Sequence, residues 1–296
     1  MKVVIGGANG LIGSALARAL RARRDEIVSL VRRPTAAGEM LWDGRSIPPG
    51  VIDGADAAVN LSGANIGARR WTDAFKKEIV ESRVESTHAF VEAIAAAQRR
   101  PRAFVNASAV GVYGGRGEEE VTEASAPGDD FLAGVCKASE AEASRAEALG
   151  VRTILLRTGV VLAREGGALK QMLPPFKAFV GGPIGSGKQW LPWIHLQDEV
   201  ALILWALEGT VRGPVNAVAP TPVRMKDFAH ALGRALHRPA LFSVPPLVLR
   251  LGLGEMAEVL LEGQRAVPRK ALDAGFSFRF RELEPALRDL VGAPRA

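Results

Sequence analysis

The sequence predicts an α/β fold: a doubly wound parallel sheet with a small α+β lobe at its C-terminal end. Three observations predict it. Val3, Val4 and Ile5 form a short β-branched run without polar alternation, the pattern of a strand buried on both faces. Gly7, Gly10 and Gly13 follow at three-residue spacing and lead into LIGSALARALRAR, which reads as a helix. Strand-like and helix-like runs then continue to Arg212, and from Gly213 the pattern changes. Strand, glycine turn and helix together open a dinucleotide-binding βαβ unit. The first region, 1–212, is therefore expected to be Rossmann-like.

Each glycine has a job in that reading. Gly7 lets the chain turn sharply off the strand. Gly10 lacks a Cβ, so a pyrophosphate can lie against the backbone, and Gly13 lets the helix pack close to the sheet. The helix start presents free N–H groups and partial positive charge to phosphates. Gly7, Ala8, Asn9, Gly10, Leu11, Ile12 and Gly13 are the first candidate cofactor contacts.

The second strand, EIVSLV at 26–31, ends in Arg32-Arg33. In a dinucleotide fold this end lies beside the adenosine ribose, where an acidic residue would accept the 2′-hydroxyl and repel a 2′-phosphate. Two guanidinium groups can hold the phosphate instead, so NADP(H) is expected over NAD(H); the alternative is a solvated strand end. A looser segment leads to AAVNL at 57–61. The small residues after it let a nucleotide edge approach the backbone, which makes Leu61, Ser62, Gly63 and Ala64 candidate contacts, unless this is a plain βα turn. Residues 71–98 read as a long helix, with Arg83 as one side chain able to point inward. AFVNASAV is the fifth strand. Ser108 stands at its carboxyl end, where open α/β sheets bind ligands; it is either a polar contact to substrate or a buried serine bonded to backbone. GEEEVTEASAPGDD reads as a surface loop, 131–148 as a helix, and VRTILLR as the strand that completes the sheet.

Residues 168–180 read as helical, and 190–195 as extended, with Asp198 as the cap of the next helix. Gly181, Gly182, Gly185 and Gly187 with Lys188 imitate a phosphate loop, but Gln189 stands where Ser or Thr is required. The second region, 213–296, holds VNAVAP, a helix over 225–236 and a short aromatic strand, FSFRF. Part of 165–195 is expected to join this lobe on the substrate side.

Composition narrows the function classes. The 296 residues are 48% hydrophobic and 24% charged, an ordinary globular balance. No run approaches the roughly 18 apolar residues that span a membrane. One cysteine, Cys136, excludes an internal disulfide and a Cys-based zinc site, and no metal is expected. With no secretory signal read at the start, the cytoplasm is the expected compartment. The net charge of +6 comes from scattered arginines rather than a basic stripe, so nucleic acid is not an expected partner.

GGANGLIG, AVNLSGANI, ASAVGVYG, GDDFLAGVCK, LLRTGVVLA, GKQWLPWIHLQDEV and PVNAVAP occur in this order. Together they resemble the YfcH-type atypical branch of the extended short-chain dehydrogenase/reductase family, of NAD-dependent epimerase/dehydratase type. RALHRPALFSVP, LGEMAEVLLEGQRAVP and GFSFRF are similar to that branch's tail domain, so the likeness spans essentially the whole chain. It implies an NADP(H)-binding domain with a small C-terminal lobe and oxidoreductase or epimerase-like activity. It implies no particular substrate.

One departure cuts into that expectation. The family's chemistry normally uses a Tyr-x-x-x-Lys pair, in which lysine lowers the tyrosine's pKa and tyrosine moves a proton. Lys137 fits the pattern, but residue 133 is Ala, and the one tyrosine, Tyr113, is followed four residues later by Gly117. Carbonyl chemistry through that dyad is excluded. Replacement candidates are His195, which faces the cleft in the family layout or else fixes a loop; Tyr113, near substrate or packed under a loop; and Cys136, activated by Lys137 or simply buried. Ser108, Lys137 and His195 form the candidate catalytic set, with Tyr113, Trp190 and Trp193 as candidate substrate contacts. Two readings remain: an NADP(H)-dependent enzyme acting on a small molecule, or a non-catalytic NADP(H)-binding redox sensor. A homodimer through the helices at 71–98 and 131–148 is expected by analogy with such folds.

Overall fold

A computed structural model describes residues 1–34 and 38–292; residues 35–37 of the first predicted region and 293–296 of the second lie outside the described residues. The apolar run Val3–Ile5 is fully buried in β1 (Lys2–Gly6), at the heart of a seven-stranded parallel sheet. The chain continues through α1 (Leu11–Ala22), β2 (Glu26–Val31), β3 (Glu39–Leu41), β4 (Ala57–Asn60), α2 (Asp73–Ala96), β5 (Ala103–Ala109), β6 (Glu120–Val121), α3 (Phe131–Ala148) and β7 (Arg152–Thr158). It then forms β8 (Val160–Leu162), α4 (Gly167–Lys177), β9 (Trp190–Leu191), β10 (Trp193–His195), α5 (Leu196–Glu208) and β11 (Gly213–Ala217). Finally come β12 (Val223–Arg224), α6 (Met225–Leu236), α7 (Pro246–Leu253), α8 (Met256–Leu261), β13 (Arg265–Ala266), α9 (Arg269–Asp273) and α10 (Leu283–Val291).

Strand order in the main sheet is β11-β7-β5-β4-β1-β2-β3. Alternation along each strand sends side chains to opposite faces. Val3 and Ile5 pack with Leu16, Leu20, Leu202 and Ile203 of α1 and α5, while Val4 packs with Phe90, Ile94 and Ala143 of α2 and α3. This is a doubly wound, Rossmann-like architecture. The strand order reverses between β1 and β4, and the carboxyl ends of that pair, Gly6 and Asn60, lie in register. Ligands bind in the crevice at such a switch point. Thr72 caps α2 by accepting from the Phe75 N–H, and Asp130 caps α3 by accepting from Ala133; caps of this kind contribute ~1 kcal/mol each.

A second apolar cluster holds Trp193, Phe228, Leu232, Leu283 and Leu287, built from β10, α6 and α10. Short pairings tie this lobe together and to the main domain: β8 with β10, β9 with β12, and β6 with β13. Among the described residues, no helix is long and apolar enough to cross a membrane.

The structure departs from expectation at four places. β11 pairs with β7 as an outer strand of the main sheet, so the boundary drawn at 212/213 falls one strand early. FSFRF forms no strand; the N–H groups of Arg279 and Phe280 are taken by the Asp198 carboxylate at 2.8 and 2.9 Å. Asp198 is therefore a tie between lobes, and the cap of α5 is His195, whose Nδ1 accepts from the Gln197 N–H. The acidic stretch after Tyr113 is held by the second lobe through β6 with β13 and a Glu118–Arg224 ion pair.

Candidate functional site

A cleft of about 1130 Å³ opens at the β1/β4 switch point. Gly7, Asn9 and Gly10 line one side, Leu61 to Ala64 another, and Arg32 and Arg33 stand at the end of β2. These are nine of the residues that the sequence singles out, gathered from three separate turns. Gly7 needs its positive φ of 74°, a conformation that favours glycine. A Cβ on Gly13 would collide with the Gly7 carbonyl oxygen, so that glycine sets the close approach of helix and turn. Gly10 is different: a Cβ there would meet only the Gly7 oxygen, at 3.2 Å, and otherwise face open space.

The remaining residues of that turn serve from behind. Ala8 and Gly13 are buried, and Leu11 and Ile12 pack onto the core beneath the sheet's edge. None of the four lines the cleft. The N-cap of α1 is Gly10, no side chain caps this end, and its first turn holds no acidic residue. The first N–H groups of a helix have no intrahelical partner, so α1 presents unoccupied donors and positive dipole charge to the cleft.

Several cleft residues carried no signal in the sequence. Trp42, Asp43, Arg69, Ser82, Glu85 and Ser86 line it as well. Two of its walls hold buried polar atoms without a hydrogen-bond partner among the described residues: the Ser62 hydroxyl and the Trp42 indole N–H. Buried polar groups are nearly always satisfied, so both are placed to receive a ligand atom. Arg32 and Arg33 are exposed.

The expected catalytic residues lie elsewhere. Ser108 donates to Glu140 Oε1 at 2.6 Å, within a buried network on the α3 side of β5. Arg157 forms paired bonds to both Glu140 oxygens, from Nε at 2.9 Å and Nη2 at 2.8 Å, and donates to the Tyr113 hydroxyl at 3.0 Å. That hydroxyl donates in turn to Asn216 at 2.7 Å. Burial works against the Arg157 charge, but the bonds to Glu140 and Tyr113 raise its pKa above the ordinary guanidinium value. Tyr113 is fully buried, and burial pushes its pKa up. It is a packed, hydrogen-bonded core residue and not a wall of the cleft, which corrects its expected substrate role.

Lys137 lies one helical turn after Ala133 on α3. It is exposed, and its ammonium donates to the Gly128 carbonyl at 2.9 Å. Ala133 is sealed at 0% exposure. The inward neighbour is Cys136, whose thiol lies against the Ser108 hydroxyl and the Ala109 backbone, with burial raising its pKa. Cys136 is buried on α3 while Lys137 is exposed.

His195 also leaves the cleft. It is 2% exposed, stacks on Phe280 at 3.9 Å between ring centres, and approaches Asp289 at 3.4 Å through Nε2. Burial lowers its pKa, with Asp289 and Asp198 opposing. It borders a separate cavity of about 470 Å³ between α1, α5 and α10. The expected cleft-facing acid–base role is thus replaced by a helix-capping one. Trp193 is core at 1% exposure. Trp190 is clasped between Arg224 and Arg265, 4.3 and 5.4 Å from its ring centre, and lines neither cavity.

Comparison with known proteins follows the same outline. A model of the NAD dependent epimerase/dehydratase family matches residues 3–218, and one of a domain of unknown function, DUF1731, matches 244–290. An epimerase family protein of Mycobacterium leprae is 42% identical over 290 residues, spanning 96% of this chain and 94% of the relative. The epimerase family protein SDR39U1 of Mus musculus is 40% identical over 98% of this chain and 100% of its own length. The crystal structure of the human epimerase family protein SDR39U1 (isoform 2) with NADPH superposes with a TM-score of 0.91 at 39% identity, covering 98% of this chain and 99% of that one.

Proposed function

The chain belongs to the NAD-dependent epimerase/dehydratase family, and on that premise we propose that it is an NADP(H)-dependent oxidoreductase or epimerase-like enzyme acting on a small molecule. Its proton transfers do not run through a Tyr-x-x-x-Lys pair, because residue 133 is Ala. The observation that carries the reading is the switch-point cleft with its uncapped α1 N-terminus, unpartnered Ser62 hydroxyl and exposed Arg32 and Arg33. The human relative bound to NADPH supports the same cofactor here.

The residues present fit a phosphorylated dinucleotide. The N–H groups at the start of α1 and the open space beside Gly10 suit a pyrophosphate. Arg32 and Arg33 suit a 2′-phosphate through charge-assisted, planar donors. Ser62, Gly63 and Ala64 offer a small, close backbone edge to the nucleotide. A bound nicotinamide supplies a hydride donor or acceptor. The chain's own part is to bind and orient; the buried Ser108–Glu140–Arg157 network stiffens the carboxyl ends of β5 and β7. The second lobe, from the end of β11 with part of 165–195, covers the substrate side in this reading. Two copies pair through α2 and α3, and the lone buried cysteine agrees with a cytoplasmic setting.

The test is an NADPH-oxidation panel of aldehydes, ketones, quinones and enones. Turnover of one class supports the enzyme. A second reading, a non-catalytic NADP(H)-binding sensor, is favoured by one observation: none of Tyr113, Lys137 and His195 reaches the cleft. Tight NADPH binding with no turnover across the panel would favour it.

A further inference from the structure

The second cavity, of about 470 Å³, lies between α1, α5 and α10 and shares no lining residue with the dinucleotide cleft. Its size falls within the roughly 300–1,000 Å³ of small-molecule sites and is many times the space that one water needs. Ala15 and Ala19 of α1, Val200 and Leu204 of α5 and Leu290 of α10 give it apolar walls. His195 and Asp289 line it too, with Nε2 of the one and Oδ2 of the other 3.4 Å apart.

His195 is 2% exposed, and two contacts fix its ring. Phe280 stacks on it at 3.9 Å between ring centres, and Nδ1 accepts from the Gln197 N–H at 3.0 Å. A neutral imidazole carries one N–H. The capping bond occupies the Nδ1 lone pair, which assigns that proton to Nε2. Burial lowers the ring's pKa and so keeps it neutral near pH 7. Nε2 is buried without a hydrogen-bond partner among the described residues; Asp289 Oδ2 stands just beyond the ~2.7–3.2 Å of a formed N–H···O bond. A buried donor left unpaired is costly.

This pair sets the chemistry of an occupant. A carboxylate would accept from the Nε2–H but face the Asp289 charge. An ammonium suits Asp289 but offers the imidazole no acceptor. A hydroxyl does both on one atom: its oxygen accepts from Nε2–H, and its proton goes to Oδ2. The other charged lining groups, Arg18, Arg164 and Glu165, are exposed and of both signs, so they select no net charge. Arg164 also donates to the Asp289 and Gly292 carbonyls, both at 3.0 Å, which holds the end of α10 at the cavity.

We propose that this cavity is a second binding site, for a neutral, largely apolar molecule whose hydroxyl group is held between His195 Nε2 and the Asp289 carboxylate. The site is independent of the enzyme reading above, since none of its residues lines the dinucleotide cleft.

The experiment titrates 4-propylphenol, its methyl ether and 4-propylbenzoate against the NADPH-saturated full chain, read by saturation-transfer NMR. The ether accepts from Nε2–H but cannot donate, and the benzoate carries a charge. The phenol is expected to bind at least about tenfold tighter than either, the scale of a hydrogen bond to a charged group. Asp289→Ala should reduce the preference over the ether below threefold, as should His195→Asn, which keeps a cap acceptor for α5. Ala19→Phe, which fills the cavity, should weaken the phenol at least tenfold. The NADPH Kd should change less than twofold in all three. An absence of saturable phenol binding to the wild type overturns the proposal. So does equal binding of the phenol and either competitor, a preference that survives Asp289→Ala, or a phenol affinity unchanged in Ala19→Phe. Displacement of the phenol when NADPH is added to the free protein would place it in the cleft and overturn the proposal as well. Circular dichroism checks folding. If His195→Asn does not fold, Asp289→Ala decides; if Ala19→Phe does not fold, Ala201→Phe, at an exposed lining position of the same cavity, takes its place.

Discussion

Replacing Glu199 by Gln should stabilise the protein, and the gain should grow with pH. Glu199 is 0% exposed in the first turn of α5, beneath the carboxyl end of β7. Thr158 donates to its Oε1 at 2.8 Å, while Oε2 is buried without a partner among the described residues. Burial pushes its pKa up from 4.5 to about 8. The folded protein therefore holds a proton that the unfolded chain releases above pH 4.5. The folded pKa is raised, so stability is fully present below 4.5 and is lost as pH rises toward 8. At ~1.4 kcal/mol per pH unit, the loss is under about 1 kcal/mol at pH 5, about 3 at pH 7, and about 5 above pH 8. Glutamine keeps the acceptor for Thr158 and the volume, and removes the titration. Urea unfolding of both proteins at pH 5, 7 and 8.5 should show the two stabilities diverging by those amounts. A difference that stays flat across this range would mean that Glu199 is ionised in the fold, and the reasoning from burial would fail.

Four further outcomes follow from the same geometry. Gly10→Ala should fold with a nearly unchanged Tm but raise the NADPH Kd by at least about tenfold, roughly 1.4 kcal/mol, because its Cβ enters the space kept for pyrophosphate; Gly13→Ala should instead lose stability, because its Cβ meets backbone. Arg32→Ala with Arg33→Ala should weaken NADPH by about ten- to thirtyfold, the lower range for charged bonds at an exposed site, and NADH by less than twofold in isothermal titration. Ala133→Tyr should destabilise by about 1–3 kcal/mol through overpacking and create no carbonyl reductase activity, since the Lys137 ammonium is turned to Gly128; NADPH-linked turnover of a simple ketone would contradict this. Arg157→Ala should cost about 3–5 kcal/mol in chemical denaturation by leaving Glu140 buried and unpaired, whereas Arg157→Met with Glu140→Leu should cost clearly less.

Local pattern carried the opening of the chain well. Val3 to Ile5 form an interior strand of the sheet, between β4 and β2, and the helix over 131–148 has the ends that its sequence gives. Capping residues and continuous apolar runs encode such elements within a few residues. Arg32, Arg33 and the turn at 61–64 could be placed because a doubly wound fold brings the carboxyl ends of its strands together. FSFRF shows the limit. Its alternation is strand-like, but Asp198, some eighty positions earlier, takes the N–H groups a ladder would need. His195 and Lys137 show a related limit: spacing fixes the element, while what one side chain touches depends on distant partners, Phe280 and Asp289 for His195 and Gly128 for Lys137. Trp42 and Arg69 reach the cleft from irregular segments, where no periodicity marks them. Glu140 and Arg157 belong to different elements, and only the packing of α3 on β7 reveals the pair.

The central claim is that the β1/β4 cleft binds NADP(H). Isothermal titration of the wild-type protein with NADPH and with NADH tests it most directly. The account predicts a single site per chain with NADPH tighter by at least about tenfold. Equal affinities would remove Arg32 and Arg33 from the site, and no binding of either nucleotide would contradict the claim itself.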